Sequence, residues 1–291
     1  MAEPRRPGRF VQIYEVGPRD GLQNEARPIA TADKVRLIDL LGRVGFRTIE
    51  AASFVSPRWV PQMADATEVM AGIRRQPGTR YAALTPNLQG FERARAANVD
   101  EVAVFASASE GFSAKNINCS VAESLERFAP VCDAAVADGI PVRGYVSCVV
   151  ACPYDGATAP ARVAAVASHL VGLGCREVSL GDTIGVGTPD TVRPMLRAVL
   201  DELPASQVAC HFHDSNGRAL ENVLAALDLG LCVFDASVGG AGGCPFAPGA
   251  AGNVATGAVV AAVEAAGFRT GLDHGLLADA EALIRDLLGR R

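Results

Sequence analysis

A stretch of 23 residues near the N-terminus, TADKVRLIDLLGRVGFRTIEAAS (Thr31–Ser53), contains the pattern that decides the fold. Thr31 stands where an N-cap is expected, and Gly45 stands where helices commonly end. Between them, apolar residues recur at the spacing of an amphipathic helix: Val35, Leu37, Ile38, Leu41 and Val44. A β-branched run starts at Thr48, so the stretch predicts a helix that leads directly into a strand.

The same unit recurs along the whole chain. Strand-like runs begin about 32 residues apart on average, near Val11, Thr48, Arg80, Glu101, Val142, Glu177, Gln207 and Val233. Helical spacing fills most of the stretches between them. Later helices are expected to end at Gly139, Gly174 and Gly230, as the first does at Gly45. We expect a closed (β/α)8 TIM barrel over residues 11–266, with its eighth helix at about 250–266. Residues 267–291 would form a short C-terminal helical extension within one domain, 1–291.

A doubly wound open sheet is the alternative architecture. Such a sheet commonly has the glycine spacing G-x-G-x-x-G after its first strand. Here the first strand is followed by GPRDG (Gly17–Gly21), which lacks that spacing. This difference favours the barrel.

Composition excludes several classes of protein. Hydrophobic residues make up 49% of the chain and charged residues 20%, which is typical of a compact soluble protein. The net charge of -5 gives no field that would attract nucleic acid, and no apolar run is long enough to span a membrane. The polar start, MAEPRRPGRF, and eight cysteines without a CxxC pair indicate reduced thiols in the cytoplasm. We expect four of them to be core hydrophobes: Cys132, Cys175, Cys210 and Cys232.

Histidines two residues apart suggest a metal site. His211 and His213 lie on one predicted strand, where alternate side chains point to the same side. With the Asp20 carboxylate and the Asn253 amide, each at the end of a barrel strand, they would form an oxygen and nitrogen site suited to Mg²⁺ or Mn²⁺. The HxH pair alone leaves open two core histidines that bond to backbone.

Two loops could contribute reactive groups. Arg19 beside Asp20 offers a cation and an acid to one cavity, although such a pair also occurs in solvated turns. Six of the fifteen residues from Gly239 to Asn253 are glycine, which suits a lid that closes over substrate. Cys244 lies within this segment as a candidate proton donor or acceptor, or else as a hydrophobic plug. We expect Cys148 and Cys152 to be mainly structural.

Five longer blocks resemble a known family. They are EVGPRDGLQNE (15–25), SFVSPRWVPQMAD (53–65), SLGDTIGVGTP (179–189), HFHD (211–214) and GGCPFAPGAAGNVAT (242–256). Together they resemble the hydroxymethylglutaryl-CoA lyases, TIM-barrel metallolyases that share a superfamily with Claisen-type synthases. The resemblance runs from about residue 11 to residue 266.

The resemblance implies a role for individual residues. Asp20, His211, His213 and Asn253 would bind the cation, and Arg19, Asp20, His211 and Cys244 would be the reacting groups. Glu50 and Asp182 would support the metal site. Along the path of an acyl-CoA substrate the resemblance implies Gln23, Ser53, Asn116, Arg143, Tyr145 and Ser179.

Two departures from the family pattern bear on the acyl group that is accepted. The chain has DSNGR at 214–218 where such lyases usually read DTYGQ, and Gly257 where they usually have an acid. We expect cleavage of 3-hydroxy-3-methylglutaryl-CoA, or of a close 3-alkyl analogue, by a cytoplasmic enzyme that could be a homo-oligomer. The alternatives are a Claisen-type carboligase, which the block around Cys244 disfavours, and a metal-binding barrel without catalysis.

Overall fold

The computed structural model describes residues 9–244 and 247–290, and it describes side chains for all of these except 243–244 and 247–251. The strands, in chain order, are β1 (Gln12–Glu15), β2 (Thr48–Ser53), β3 (Arg80–Leu84), β4 (Glu101–Ser107), β5 (Val142–Ser147), β6 (Ala151–Cys152), β7 (Gly156–Ala157), β8 (Cys175–Asp182), β9 (Val208–Phe212), β10 (Val233–Ala236), β11 (Gly243–Cys244) and β12 (Ala247–Ala251). The α-helices are α1 (Thr31–Val44), α2 (Ala66–Gly72), α3 (Leu88–Ala96), α4 (Glu110–Ile117), α5 (Val121–Ala137), α6 (Pro160–Gly172), α7 (Pro189–Leu200), α8 (Ala219–Asp228), α9 (Thr256–Ala265) and α10 (His274–Leu288). Short helical turns cover Gly17–Gly21, Pro61–Met63, Ala205–Gln207 and Val238–Gly240.

Eight parallel strands close into a barrel in the order β1-β10-β9-β8-β5-β4-β3-β2. Closure is made by β1, which pairs with β2 on one side and with β10 on the other. The TIM barrel prediction is therefore confirmed, and the open sheet is excluded. The two remaining strand pairs, β6 with β7 and β11 with β12, are antiparallel hairpins that follow β5 and β10.

Two predicted boundaries were wrong. Helix α1 begins at Thr31 itself, with Ala30 as its N-cap, and the Thr31 hydroxyl donates instead to Asp65 Oδ2 at 2.7 Å. Helix α9 begins at Thr256 and not near residue 250, because residues 247–251 form strand β12. The predicted end of α1 at Gly45 was right. The φ angle of Gly45 is 103°, in the left-handed region that glycine tolerates.

The interior of the barrel is polar as well as apolar. Arg143 on β5 is fully buried, with its guanidinium 3.9 Å from the centre of the Tyr14 ring. Its guanidinium bonds to two buried acids, Glu177 on the adjacent strand β8 and Asp235 on β10 across the barrel interior. Branched aliphatic residues usually dominate a TIM-barrel interior, so these ionic groups indicate that the interior supports a site.

The core cysteines behave as predicted: Cys132, Cys175 and Cys210 are buried, and Cys232 is half-buried. Among the described residues, none of the helices combines the length and hydrophobicity that a transmembrane helix requires.

Candidate active site

A single π-helical turn, Gly17–Gly21, follows β1 and presents Arg19 and Asp20 at the mouth of the barrel. The amides of Asp20 and Gly21 both donate to the Val16 carbonyl, at 2.8 and 3.2 Å. A Cβ at Gly17 would lie 2.6 Å from Glu15 Oε1, and one at Gly21 would lie 2.7 Å from Ser237 Oγ. Only glycine fits at both ends of this turn, and π turns are frequent at functional sites.

The four predicted metal ligands come together beside this turn. Asp20, His211 and His213 each offer a ligand atom within 4.8 Å of the others. The Nε2 atoms of the two imidazoles lie 3.1 Å apart. Asn253 pairs with His213 through an isolated β-bridge, and its Nδ2 donates to Asp20 Oδ2 at 2.8 Å.

These residues fit a divalent cation. Asn253 Oδ1 is buried and has no hydrogen-bond partner among the described residues, although a buried polar atom normally has one. A bound cation would satisfy that oxygen. The set of one carboxylate, two imidazoles and one amide oxygen suits a hard or intermediate divalent ion such as Mg²⁺ or Mn²⁺.

Arg19 is held between two carboxylates. Its Nε donates to Glu50 Oε2 at 2.6 Å, and its Nη1 donates to Asp20 Oδ1 at 2.6 Å. Burial alone would raise the pKa of Asp20, but Arg19 and the two histidines together hold that pKa well below its usual range. The pKa of Glu50 is raised, because burial outweighs the attraction of Arg19. Asp20 is therefore ionised throughout the physiological range, as a cation ligand must be.

His211 is oriented from inside the barrel. Its Nδ1 lies 3.1 Å from Asp235 Oδ2, which leaves Nε2 facing Asp20 and His213. Burial disfavours the imidazolium, but the hydrogen bond and charge of Asp235 raise the pKa of His211 overall. His213, by contrast, has a pKa lowered to about 4 by burial and by the neighbouring His211. The neutral form that a metal ligand requires is thus favoured at His213.

Two residues predicted on the substrate path lie beneath the site. Arg143 donates to both oxygens of Asp235, at 3.0 and 2.7 Å, and to Glu177 at 2.8 Å. Ser179 Oγ donates to Asp235 Oδ2 at 2.8 Å. Both side chains are fully buried and hydrogen-bonded to Asp235, so in this structure they support that carboxylate.

The other predicted substrate residues lie nearer the mouth. Tyr145 donates to Glu50 Oε2 at 3.1 Å. Ser53 Oγ and Gln23 Oε1 are buried atoms that, in the described part of the chain, have no hydrogen-bond partner. Asn116 is exposed on α4. The polar atoms of Ser53 and Gln23 are available to a ligand, whereas Asn116 lies on the exposed side of α4.

Asn216, at one of the two departures from the family pattern, connects the loops near His213. Asp182 Oδ2 accepts the Gly187 amide at 2.7 Å and so shapes the loop after β8. Asn216 Nδ2 donates to the Gly185 carbonyl of that loop at 2.8 Å. Asn216 therefore joins the loops after β8 and β9, and Asp182 shapes the first of these two loops.

The structure also identifies two residues to which the sequence patterns assigned no role. Asp235 orients His211, and Glu15 accepts hydrogen bonds from the Gly17 amide, the Val238 amide and the Thr256 hydroxyl at 2.7 to 2.9 Å. Their signal in the sequence is an acid at or near the carboxyl end of a short barrel strand. The prediction for the Cys244 thiol lies outside the described side chains.

Known proteins share both the sequence and the fold. The HMGL-like family model matches residues 10–284. A protein of Pseudomonas aeruginosa named 3-hydroxy-3-isohexenylglutaryl-CoA/hydroxy-methylglutaryl-CoA lyase is 56% identical over 96% of this chain and 93% of its own. The mitochondrial hydroxymethylglutaryl-CoA lyase of Gallus gallus is 55% identical over 97% of this chain and 94% of its own. The crystal structure of the HMG-CoA lyase of Brucella melitensis superposes with a TM-score of 0.96 at 59% identity, covering 97% of this chain and all of that one. With its closed barrel and its cluster of Asp20, His211 and His213, the chain belongs to the HMGL-like family, together with the hydroxymethylglutaryl-CoA lyases.

Proposed function

We propose that the protein is a divalent-metal-dependent carbon–carbon lyase that cleaves 3-hydroxy-3-methylglutaryl-CoA to acetyl-CoA and acetoacetate. The observation that carries the proposal is the convergence of Asp20, His211, His213 and Asn253 beside the buried guanidinium of Arg19. The names of the close relatives supply the substrate.

The reaction is a reverse Claisen cleavage. The C3 hydroxyl loses its proton and becomes the carbonyl of acetoacetate, while the C2–C3 bond breaks. The electrons of that bond enter the thioester carbonyl to form an enolate, and a proton then adds at C2 to give acetyl-CoA. The site must therefore accept one proton, stabilise one enolate oxygen and donate one proton.

The residues of the site match these three tasks. A bound cation supplies Lewis acidity toward the oxygens of the substrate. The Asp20 carboxylate receives the hydroxyl proton, with His211 Nε2 4.0 Å from Asp20 Oδ2 and Asp235 behind His211. Arg19 faces the enolate oxygen, and its contacts with Asp20 and Glu50 hold the guanidinium in place without reorganisation during the reaction.

Cys244 is proposed as the donor of the proton to C2, on the glycine-rich segment after β10. Cys244→Ser should lower kcat by about 10² to 10⁴, the range for a positioned acid or base. Cys232→Ser, at a half-buried cysteine of the described part of the chain, is the control. A Cys244→Ser enzyme with near-native kcat would assign the donor role to another group.

The decisive experiment follows acetoacetate by mass spectrometry after incubation with 3-hydroxy-3-methylglutaryl-CoA and Mg²⁺ or Mn²⁺. Chelation should abolish turnover, and either ion should restore it. His213→Ala should weaken metal binding, whereas His169→Ala on the exposed side of α6 should not. Undiminished turnover in the chelated enzyme would contradict metal dependence, and absence of acetoacetate with both ions would contradict the lyase assignment.

The range of acyl groups is a finer part of the proposal. The name of the P. aeruginosa relative includes a 3-isohexenylglutaryl thioester, and we propose that this chain also accepts C3 substituents longer than methyl. Measuring kcat/KM for both thioesters tests this, and turnover of the methyl substrate alone would contradict it. A cytoplasmic location and a homo-oligomer stay predictions, to be checked by cell fractionation and by light scattering.

A further inference from the structure

Helix α9 obtains its N-terminal cap from another helix. Its N-cap residue, Ala255, has no side chain that could accept a hydrogen bond. The amide of Gly257, in the first turn, donates instead to Glu281 Oε1 of α10 at 3.2 Å. A Cβ at position 257 would overlap that oxygen, so a larger residue there would displace the Glu281 carboxylate. Gly257, where the family usually has an acid, and the carboxylate of Glu281 therefore form one contact.

A second carboxylate holds the same turn from the opposite side. Thr256 Oγ1 donates to Glu15 Oε2 at 2.7 Å, and the Thr256 amide donates to the Ser237 carbonyl at 3.0 Å. Glu15 Oε1 also accepts the amide of Gly17, where the π turn that carries Asp20 begins. Residues 256 and 257 are thus fixed between Glu15 and Glu281. Asn253 lies only three residues earlier in the chain.

Helix α10 also packs against the turn that leads into the glycine-rich segment. A Cβ at Gly239, whose φ is +62°, would lie 2.7 Å from Ile284 Cγ2. One helix therefore contacts both ends of the segment that connects β10 to α9: Gly239 through Ile284, and Gly257 through Glu281.

We infer that Glu281 is a positioning residue of the active site, which acts through Gly257 and Thr256 to hold Asn253 against Asp20. The C-terminal helix is then part of the catalytic assembly and not only a cover for one end of the barrel. The effect on metal binding and turnover rests on the proposed function, whereas the effect on the backbone at 253–257 does not.

The test compares four forms of the full-length chain: wild type, Glu281→Ala, Glu281→Gln and Asp286→Asn. Gln keeps an acceptor oxygen for the Gly257 amide, and Asp286 is an exposed acid on the same helix. Loss of a helix cap corresponds to about 2-fold to 30-fold in an equilibrium constant. Glu281→Ala should therefore speed amide hydrogen exchange at 253–257 in the metal-free protein within that range. It should also raise the Kd for Mn²⁺ and lower kcat, with little change in KM.

The Glu281→Gln variant distinguishes a positioning role of Glu281 from a role in packing alone. Glu281→Gln should retain most of the protection and affinity, and Asp286→Asn should match wild type. Exchange at 253–257 that is the same in Glu281→Ala and wild type would overturn the inference, and so would a Glu281→Gln enzyme as impaired as Glu281→Ala. If wild type itself binds no Mn²⁺ and yields no acetoacetate, the proposed function fails, and the exchange measurement alone then decides whether Glu281 positions Asn253.

Discussion

At the scale of single residues, the fully buried Glu15 carboxylate accepts three hydrogen bonds. Burial outweighs those bonds and raises the pKa of Glu15 to about 7, from an ordinary value of 4.5. The folded protein therefore binds more protons than the unfolded chain between those two values. The stability that the raised pKa of Glu15 contributes is present at low pH and is lost as pH rises from about 4.5 to 7.

Glu15→Gln should remove this pH dependence. The glutamine oxygen can accept the Gly17 and Val238 amides, and its NH2 group can donate to the Thr256 hydroxyl, so the variant should fold. Between pH 4.5 and 7 the stability of wild type should fall relative to Glu15→Gln by at most about 3 kcal/mol. Urea unfolding at several pH values measures the difference, and Glu68→Gln at an exposed site is the control. Parallel curves for wild type and Glu15→Gln would contradict a raised pKa.

Asp235 is the residue on which the orientation of His211 depends. Arg143 and the His211 hydrogen bond offset its burial and hold its pKa at about 2, so it is an anion in the folded protein. Asp235→Asn should destabilise the fold by about 3–5 kcal/mol, because it leaves the buried Arg143 without full charge compensation. Turnover should fall by about 10-fold to 100-fold. Ser179→Ala, which removes one hydrogen bond to the same carboxylate, should cost about 1 kcal/mol and leave kcat close to wild type. An equal loss of kcat in both variants would show that Asp235 has no special role at His211.

At the scale of elements, the π turn of Gly17–Gly21 determines where Arg19 and Asp20 point. Gly17→Ala places a methyl group against Glu15 Oε1 and Val238 Cγ1, which should destabilise the protein by about 1–3 kcal/mol. It should also displace Asp20 and lower kcat by up to about 10². Gly172→Ala is the matched control, because a Cβ there meets no atom within 4 Å. Steady-state kinetics and thermal melting of the two variants test the turn, and a fully active Gly17→Ala enzyme would contradict this account of it.

At the scale of the whole molecule, the proposed metal site joins strands from both ends of the chain. Asp20 follows β1, His211 ends β9, and Asn253 precedes α9. A cation that binds only the folded barrel should stabilise it by about 2.7 kcal/mol at 100 times its Kd. Mn²⁺ should therefore raise Tm by several degrees, and chelation should reverse the increase. Asp20→Asn should abolish the shift, whereas the exposed Asp279→Asn on α10 should retain it. A Tm that Mn²⁺ raises equally in Asp20→Asn would locate the cation elsewhere.

Much of this architecture follows from local patterns in the sequence. The helical spacing before Gly45 and the β-branched run at Thr48 predict one unit, and its recurrence predicts the barrel. Predicting where the candidate metal ligands lie required one further rule: polar residues at the carboxyl ends of barrel strands lie on the same face of the barrel. That rule was sufficient to bring His211, Asp20 and Asn253 together.

Helix boundaries were less predictable, because competing hydrogen bonds decide them. Thr31 has the chemistry of an N-cap, but its hydroxyl bonds to Asp65, a residue 34 positions away. At Thr31 a contact between distant residues overrides local propensity. Near position 250 the segment pairs with β11 as a hairpin strand, and its Pro248, Gly249 and Gly252 disfavour a helix, so the helix begins later.

The eight-unit repeat and the chemistry of the candidate metal ligands can be predicted from the sequence alone, since both depend on residues close together in the chain or on a periodicity that repeats. The distant groups that support those residues are found only in the folded structure: Asp235 with His211, Arg143 with Asp235, and Glu281 with Gly257. Each of these contacts joins groups that come within hydrogen-bonding distance after the barrel has closed and α10 has packed on it. Their partners are set by the register of the strands and the position of that helix, and no local spacing in the sequence encodes either one.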